Sequence, residues 1–321
     1  MGFSPIGPTF ELKKVLRNID EWSRHADGAI DHRDVPWKFL LSGGKAEEYV
    51  RKEVIPLMNL YRSRGFLIVC TVDLANGIDR TKEARELVEM NRSIAEPEVQ
   101  KAYVDYVSTF ATMVKPDYLG LGSEVNLLAD NLPVKTYAGL VRMTGDAAKL
   151  VKAASPKTLL YVSVQVEWAW GKFPGGKGYK GCDQIFHDFP YIQSLGVSSY
   201  PAFGWASPEE IPGDYYRRLL GRRKMPIVMV EGGWPSTTVQ QIKSDPDKQA
   251  RWVRKLGAVL DDCRSPFVGL LMYPDLDIDH IPELKGTILP LFATMGMTDI
   301  EFKPKPALAE WDALFRRPLA R

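Results

Sequence analysis

The amino-acid sequence predicts a single (β/α)8 barrel that spans residues 1–321. Short runs of aliphatic and β-branched residues alternate with longer amphipathic segments, an order typical of strand–helix units around a parallel sheet. Eight such pairs fit into the 321 residues, a length that suits a barrel of this type. A doubly wound open sheet with an inserted segment is the alternative fold.

The predicted strands are short, and their composition suits strands that are covered on both faces, as parallel strands are. The first lies near residue 3, and the others begin at residues 28, 66, 118, 159, 196, 226 and 267. In chain order, their sequences are FSPIG, GAIDHR, FLIVCTVDL, YLGLG, LLYVSVQVEW, GVSSYP, PIVMVEGG and FVGLLMYP.

Segments with helical spacing separate these strands. EPEVQKAYVDYVSTFATMV has a proline in its predicted first turn, and one face carries the apolar residues Val99, Tyr103, Tyr106, Val107 and Phe110. The same organisation recurs in TFELKKVLRNIDEWSRHA, PVKTYAGLVRMTGDAAKLVKAAS and DPDKQARWVRKLGAVLDDC. One apolar face in each segment is what a helix packed on the outside of a barrel requires.

Composition and charge argue against several classes of protein. The formal net charge is +2 and no Lys/Arg block stands out, so we expect no nucleic acid partner. No window approaches the roughly 20 apolar residues that span a bilayer, so we expect no membrane association. The three cysteines are odd in number and far apart, and the four histidines form no HExxH pair. We therefore expect no disulfide framework, metal or cofactor, and we expect a monomer.

The N-terminal segment MGFSPIGPTF has neither the basic start nor the long apolar run of a signal peptide. This leaves the localisation open. The protein would be secreted or periplasmic if a signal peptide has been removed from it, and cytoplasmic otherwise.

Two acidic residues stand at the predicted C-terminal ends of strands, where a (β/α)8 barrel carries its active site. Glu124 follows the run LGLGS of strand four, and Glu231 follows PIVMV in strand seven. Strands four and seven face each other across a barrel. A pair of carboxyl groups across a pocket can cleave a glycosidic bond, because one protonates the leaving oxygen and the other attacks the anomeric carbon. Further polar candidates for substrate contact at strand ends are Arg33, Asp73, Ser123, Asn126, Glu167 and Tyr273.

Aromatic residues form a second group after the predicted strands. Flat rings can stack on the apolar faces of sugars while polar neighbours bind the hydroxyls. Several such rings around one mouth favour an oligosaccharide cleft. The candidates are Trp37, Trp168, Trp170, Phe203, Trp205 and Trp234, whereas Trp252 and Trp311 lie on predicted helices and are assigned to packing.

The order of these features resembles clan A of the glycoside hydrolases over most of the chain. LGLGSEVN resembles the strand-four GNE signature of the arabinogalactan endo-β-1,4-galactanases and the plant-type endo-β-1,3-glucanases. VSSYPAF is similar to their tyrosine–proline motif in strand six, and VMVEGGWPS to the strand-seven E-T-G-W-P-S of the glucanases. FKPKPALAEWDAL resembles the KPAL..W run that begins the last helix in many members.

The resemblance implies a retaining endo-β-glycosidase that hydrolyses a β-linked glucan or galactan by double displacement. Glu124 would be the acid/base and Glu231 the nucleophile. Tyr200 would provide the hydroxyl that hydrogen-bonds the nucleophile and keeps it ionised.

Two departures from the family pattern leave alternatives open. Ser123 replaces the asparagine that usually precedes the acid/base and binds the sugar 2-hydroxyl, and Gly232 replaces a common threonine. A shorter serine would need a water bridge or help from Asn126. A non-catalytic carbohydrate-binding barrel is one alternative function. A transglycosylase that uses the same two glutamates is another, because both reactions pass through the same glycosyl-enzyme.

Overall fold

The structure, a computed structural model, describes residues 1–173, 176–281 and 286–318. Its eight strands form a closed barrel in chain order. Because the first strand pairs in parallel with the last, the predicted (β/α)8 fold is confirmed and the open sheet is excluded. The strands are β1 (Gly2–Phe3), β2 (Gly28–Asp34), β3 (Leu67–Asp73), β4 (Tyr118–Gly120), β5 (Leu159–Gln165), β6 (Ser194–Ser199), β7 (Ile227–Gly232) and β8 (Phe267–Leu270).

α-Helices occupy the connections between the strands, except that between β6 and β7, which contains three short 3-10 helices. The four long segments predicted to be helical are confirmed, and they are numbered α1, α6, α8 and α11 in the list below. The helices are α1 (Leu12–Trp22), α2 (Trp37–Leu41), α3 (Ala46–Tyr49), α4 (Ile55–Ser63), α5 (Arg85–Glu89), α6 (Pro97–Val114), α7 (Val125–Asn131), α8 (Val134–Ala154), α9 (Val166–Ala169), α10 (Asp183–Asp188), α11 (Pro246–Asp262) and α12 (Pro306–Phe315), with a π-helical turn at Val50–Val54 before α4.

Helix α6 shows how the sequence pattern produces a packed element. Pro97 occupies the first turn, where its missing N–H has no helical partner to lose. The apolar face predicted for this segment is buried along its whole length, so the prediction is confirmed. The hydroxyl of Tyr103 on this face donates to the backbone oxygen of Leu121 at 2.7 Å, which ties the helix to the end of β4.

A close approach in the sheet explains two of the strand glycines. The ring of Tyr161 on β5 lies against Gly120 and Gly196, and a Cβ atom at either glycine would come within 2.5 or 2.6 Å of that ring. The Tyr161 hydroxyl donates to the backbone oxygen of Cys70 at 2.9 Å and lies 2.7 Å from Thr71 Oγ1. The large ring therefore fills space that only glycine leaves open.

The chain divides into two compact units. The central unit comprises Asp31–Gln165 and Cys182–Gly196, and the terminal unit comprises Met1–Ile30, Val166–Gly181 and Val197–Arg321. Glu124 belongs to the central unit and Glu231 to the terminal unit, so each acid has a protein environment of its own. Among the described residues, no helix is both long and apolar enough to cross a membrane.

Candidate active site

Glu124 lies just beyond the end of β4 and precedes the first residue of α7. Its backbone is in the left-handed region, with φ 49° and ψ 42°. This conformation costs a non-glycine residue about 1–2 kcal/mol, and such strain is concentrated at functional sites in proteins. The Glu124 N–H donates to Ser163 Oγ at 2.9 Å, which helps to hold the turn. The strained turn presents the Glu124 side chain in a fixed direction.

The Glu124 carboxylate forms an ion pair with Arg80. Arg80 Nε donates to Glu124 Oε2 at 2.9 Å, and Arg80 Nη1 donates to Asp73 Oδ1 at 2.9 Å. The three side chains are only 9–12% exposed, so their charges need one another for compensation. We call Asp73, Arg80 and Glu124 the acid triad. Burial alone would lower the pKa of Arg80, but the two carboxylates raise it above its ordinary value.

His32 on β2 lies within electrostatic range of Asp73 and Arg80. Burial lowers the pKa of its imidazole to about 4, against the opposing effect of Asp73. His32 is therefore neutral near pH 7 and contributes hydrogen-bonding capacity rather than charge.

Arg33 follows His32 directly, and successive side chains in a strand point to opposite faces. Arg33 pairs with Asp31 through its Nε and donates from Nη1 to the backbone oxygen of Glu53 at 3.2 Å. Glu53 lies in the π-helical turn. The contacts of Arg33, a predicted substrate contact, are thus with its own strand and with the helical layer around the sheet.

Ser123 and Asn126, the other two candidates after β4, are both buried. Ser123 Oγ accepts from Ser163 Oγ at 3.4 Å. The Asn126 side chain donates to the backbone oxygen of Gln165 at 2.9 Å and accepts from the backbone N–H of the same residue at 2.8 Å. Asn126 therefore uses both ends of its amide to tie α7 to β5.

Glu231 lies in β7, in the terminal unit, and Tyr200 directly follows β6. The Tyr200 hydroxyl donates to Glu231 Oε1 at 2.6 Å. The Tyr200 ring stacks on Phe203, with 5.7 Å between centroids, and meets Phe292 edge-on at 4.7 Å. These ring contacts fix the hydroxyl in place. A donor to a carboxylate favours its ionised form, which is the form that a nucleophile requires.

Glu167, on α9, has no exposed surface. Ser199 Oγ donates to its Oε1 at 2.9 Å, and the Tyr215 hydroxyl donates to the same oxygen. Burial raises the pKa of Glu167, and these donors only partly offset the effect. This environment gives Glu167 a structural role inside the terminal unit.

Four of the six aromatic residues predicted to contact sugar are almost fully buried: Trp37 and Trp234 are 1% exposed, and Trp170 and Trp205 are 8% exposed. Trp37 stacks on Tyr103 with 6.3 Å between centroids, and Trp170 meets Trp205 edge-on at 5.8 Å. Protein atoms thus occupy most of these ring surfaces. The packing role predicted for the helical Trp252 and Trp311 is confirmed by exposures of 1% and 0%.

The remaining aromatic candidates differ among themselves. Trp168 and Phe203 are half-buried and keep some ring surface, and Lys180 Nζ lies 4.0 Å from the Trp168 ring centre. Tyr273 is 3% exposed and packs edge-on against Phe3, 5.1 Å away. Of this group, Trp168 and Phe203 retain surface for a sugar.

A cavity of about 620 Å³ lies in the central unit beside the acid triad. A Cβ atom placed on Gly77 in its wall would be 3.7 Å from Asp73 Oδ2, so this wall adjoins the triad. The volume is in the range typical of small-molecule sites. Phe39 and Ile78 are 37% and 42% exposed and supply apolar surface, while Asp34 and Glu86 supply carboxylates.

One charged residue of the central unit, Arg80 in the loop after β3, was not selected from the sequence. No periodic pattern marks a loop residue. The available signal was electrostatic, because acids at the buried ends of two neighbouring strands, Asp73 and Glu124, require a cation nearby. No group of three or more His, Cys, Asp or Glu side chains within the described ranges is arranged to hold a metal ion.

Comparison with solved structures finds proteins with a similar fold. No protein-family model and no curated protein matches the sequence. The structure matches the exo-β-1,4-mannosidase of Opitutaceae bacterium strain TAV5 at 15% identity and a TM-score of 0.68, covering 98% of this chain and 58% of that one. For xylanase 10B of Thermotoga maritima, the values are 12% identity, TM-score 0.64 and coverages of 98% and 94%. A fungal β-1,4-galactanase matches at 14% identity and a TM-score of 0.60, with 94% of this chain and 91% of that chain covered.

This chain spans 58% of the mannosidase and 50% of a matched β-glucuronidase from an uncultured Clostridium. At such low identities the likeness concerns the fold. The matched proteins are glycosidases by name, and this chain shares their barrel architecture, which confirms the predicted (β/α)8 fold.

Proposed function

We propose that the protein is a retaining β-glycosidase, with Glu124 as acid/base and Glu231 as nucleophile in a single catalytic domain of residues 1–321. One observation carries the proposal: in a closed barrel, β4 ends just before a strained, ion-paired glutamate, and β7 carries a glutamate that accepts a tyrosine hydroxyl. Barrel enzymes place their chemistry at these strand ends. The fold shared with a mannosidase, a xylanase and a galactanase supports a glycosidase.

In the first step, Glu231 would attack the anomeric carbon as a carboxylate and form a covalent ester. The Tyr200 hydroxyl stabilises the carboxylate before the attack. Glu124 would donate its proton to the oxygen of the leaving sugar as the glycosidic bond breaks. Charge is conserved, because Glu231 loses its negative charge while Glu124 becomes a carboxylate.

In the second step, Glu124 would take a proton from a water molecule, which attacks the anomeric carbon and releases Glu231. Two displacements on the same carbon give net retention of configuration. A sugar hydroxyl in place of water would give transglycosylation, so the acceptor alone separates the two activities.

We propose a β-linked glucan or galactan as substrate, and the cavity beside the acid triad as the place where one of its sugars binds. Phe39 offers an exposed ring for the apolar face of a pyranose. Asp34 and Glu86 offer carboxylates for sugar hydroxyls. Binding along a chain of sugars would favour endo action.

The proposal is tested with a panel of β-glucans, β-galactans, β-mannans and β-xylans, on which wild type, Glu124→Ala, Glu231→Ala and the exposed control Glu48→Ala are compared. We expect new reducing ends from the wild type and from Glu48→Ala. Azide should restore turnover to Glu231→Ala and yield a glycosyl azide of inverted configuration. Activity that survives both active-site substitutions would contradict the assignment. Binding of a glycan without cleavage of any would instead support a carbohydrate-binding barrel.

A crystal structure with a bound sugar tests the mechanism itself. Carboxyl groups of Glu124 and Glu231 separated by about 5–5.5 Å would agree with retention, whereas about 6.5–9.5 Å would indicate inversion. A much larger separation would exclude the pair as the catalytic residues.

A further inference from the structure

Tyr200, which donates to Glu231, stands where the chain leaves the sheet. β6 ends one residue earlier, at Ser199, and the Tyr200 backbone has φ −129° and ψ 71°, outside the range of a β-strand. Phe203 and Phe292 contact the Tyr200 ring, but they do not determine where the backbone carries that ring. The backbone of this turn therefore needs partners of its own if the hydroxyl is to reach Glu231.

The buried carboxyl group of Glu167 supplies such a partner. The backbone N–H of Tyr200 donates to it, and Ser199 Oγ donates to Glu167 Oε1 at 2.9 Å. Because one carboxyl group accepts from two consecutive residues, it holds both the last residue of β6 and the residue whose hydroxyl donates to Glu231. Glu167 has no exposed surface, so it can influence the proposed reaction only through other residues.

Two further tyrosines complete the surroundings of Glu167. The Tyr215 hydroxyl donates to Glu167 Oε1, and the Tyr216 hydroxyl donates to Ser199 Oγ at 3.1 Å. Ser199 Oγ thus accepts from Tyr216 and donates to Glu167, which determines the direction of its O–H bond. All four side chains are buried. We call Glu167, Ser199, Tyr215 and Tyr216 the buried network.

The backbone of Ser199 is fixed separately, against the end of β7. The Gly233 N–H donates to the backbone oxygen of Ser199 at 3.3 Å. A Cβ atom at Gly232 would lie only 2.6 Å from the same oxygen, so this approach depends on the missing side chain of glycine. The contact gives a physical reason for Gly232 where the family pattern has a threonine. With Ser199 fixed, the hydrogen bond from Tyr200 to Glu167 determines the course of the next residue.

We propose that Glu167 is a positioning residue, which through the buried network holds the Tyr200 hydroxyl against Glu231. The inference rests on the proposed function, because the position of this hydroxyl matters for the reaction only if Glu231 is the nucleophile. It gives a role to a carboxyl group that is costly to bury and that takes no part in the two chemical steps.

Glu167→Met removes both acceptor oxygens and keeps a side chain of similar size. We expect the turn at Tyr200 to move and kcat to fall by about 10- to 100-fold, since a misplacement of about 1 Å near the reacting atoms can cost about 100-fold in rate. KM should change little, because a side chain without exposed surface does not contact the sugar.

A double-mutant cycle tests whether Glu167 acts through Tyr200. Tyr200→Phe keeps the ring and removes the hydroxyl, so no hydroxyl is left for the buried network to position. Glu167→Met should therefore lower kcat in the wild-type background and change it by less than about 2-fold in the Tyr200→Phe background. Losses that multiply in the double variant would overturn the inference, because Glu167 would then act by another route.

Glu167→Met leaves buried donors without their acceptor, so thermal unfolding is used to show that it is folded. If it does not fold, Ser199→Ala takes its place with the same predictions. This variant removes the hydroxyl that donates to Glu167 and keeps the backbone contact with Gly233.

The matched control is Ser265→Ala, in the same unit. It removes a hydroxyl that donates to the backbone oxygens of Ile227 and Phe267, the first residues of β7 and β8, at 2.7 and 2.8 Å. We expect a lower melting temperature with kcat unchanged. An equal fall of kcat in Ser265→Ala and Glu167→Met would overturn the inference, because loss of stability alone would then explain both.

A crystal structure of Glu167→Met measures the position of the hydroxyl and needs no activity. We expect the Tyr200 hydroxyl to lie further than about 3.5 Å from Glu231 Oε1, beyond hydrogen-bond distance, instead of 2.6 Å. An unchanged distance would overturn the inference. A longer distance in the variant, together with a wild type that cleaves no glycan, would support the positioning by Glu167 and overturn the proposed function alone.

Discussion

The surroundings of the two candidate acids differ in kind. In the central unit, Glu124 has a strained backbone and an ion pair with Arg80, which also holds Asp73. In the terminal unit, Glu231 accepts the neutral hydroxyl of Tyr200. This contrast fits the two proposed roles. An acid/base changes its protonation in each step and responds to nearby charges, whereas a nucleophile stays ionised until it attacks and needs a donor.

Glu167 adds a control to this comparison within the terminal unit. Like Glu231, it accepts a tyrosine hydroxyl, from Tyr215, and it also accepts from Ser199. Unlike Glu231, it has no exposed surface. Hydroxyl donors alone therefore do not distinguish a carboxylate that is proposed to be catalytic from a structural one, whereas exposed surface does.

The largest effect is expected when the ion pair between Arg80 and Glu124 is removed. Arg80→Met leaves Asp73 and Glu124 buried without their shared cation, which should cost about 3–5 kcal/mol of folding stability near pH 8. Urea unfolding near pH 8 measures the effect. Arg85→Met, which breaks an exposed pair with Glu89, should change little, and an equal loss in both variants would contradict the importance of burial.

A smaller effect is expected when the hydrogen bond from Tyr200 to Glu231 is removed. Tyr200→Phe removes the donor to Glu231 while keeping the ring, and hydrogen bonds to charged groups contribute about 1.5–3 kcal/mol. If that energy is lost in the transition state, kcat/KM should fall by about 10- to 100-fold. Steady-state kinetics on the glycan that the wild type cleaves fastest measures this fall in kcat/KM. The matched control is Tyr137→Phe, which removes a hydroxyl from Asp188 in the central unit and should leave activity unchanged.

The strained turn before α7 provides a third test. Ser163→Ala removes the acceptor of the buried Glu124 N–H, and a buried donor without a partner costs about 1–3 kcal/mol. We expect a loss of stability in this range by urea unfolding, with a fall in kcat as the Glu124 side chain loses its fixed direction. Ser108→Ala removes a hydroxyl of α6 that donates to the backbone oxygen of Asp105, and it should behave as wild type. Unchanged kcat would show that the turn does not position the acid.

The smallest effect concerns the cavity beside the acid triad. Phe39→Ala removes a stacking platform, and aromatic contacts contribute about 0.5–1.5 kcal/mol. KM should rise by about 2- to 10-fold with little change in kcat, since the ring would act on bound substrate and transition state alike. Phe10→Ala, which removes an exposed ring from the terminal unit, is the control. A fall in kcat alone would argue against a sugar at Phe39.

Much of the fold follows from local sequence. The eight aliphatic runs became the eight strands because parallel strands are covered on both faces and select such residues. The apolar face of α6 was equally readable, since helical spacing alone determines which residues face the sheet. The aromatic residues that contact substrate were harder to predict from the sequence. Burial of Trp170 and Trp205 depends on rings from distant segments, and a sequence does not show which surfaces those rings will cover.

By itself, the sequence determined the barrel class, the strand ends and the position of an acid at β4 and at β7, because these depend on short patterns and on strand order. Only the tertiary structure decided which groups surround each acid. Arg80 lies 44 residues before Glu124 in the chain, and its approach depends on how the loop after β3 folds over the end of β4. Contacts between distant segments arise from packing and charge compensation in three dimensions, and no local pattern records them.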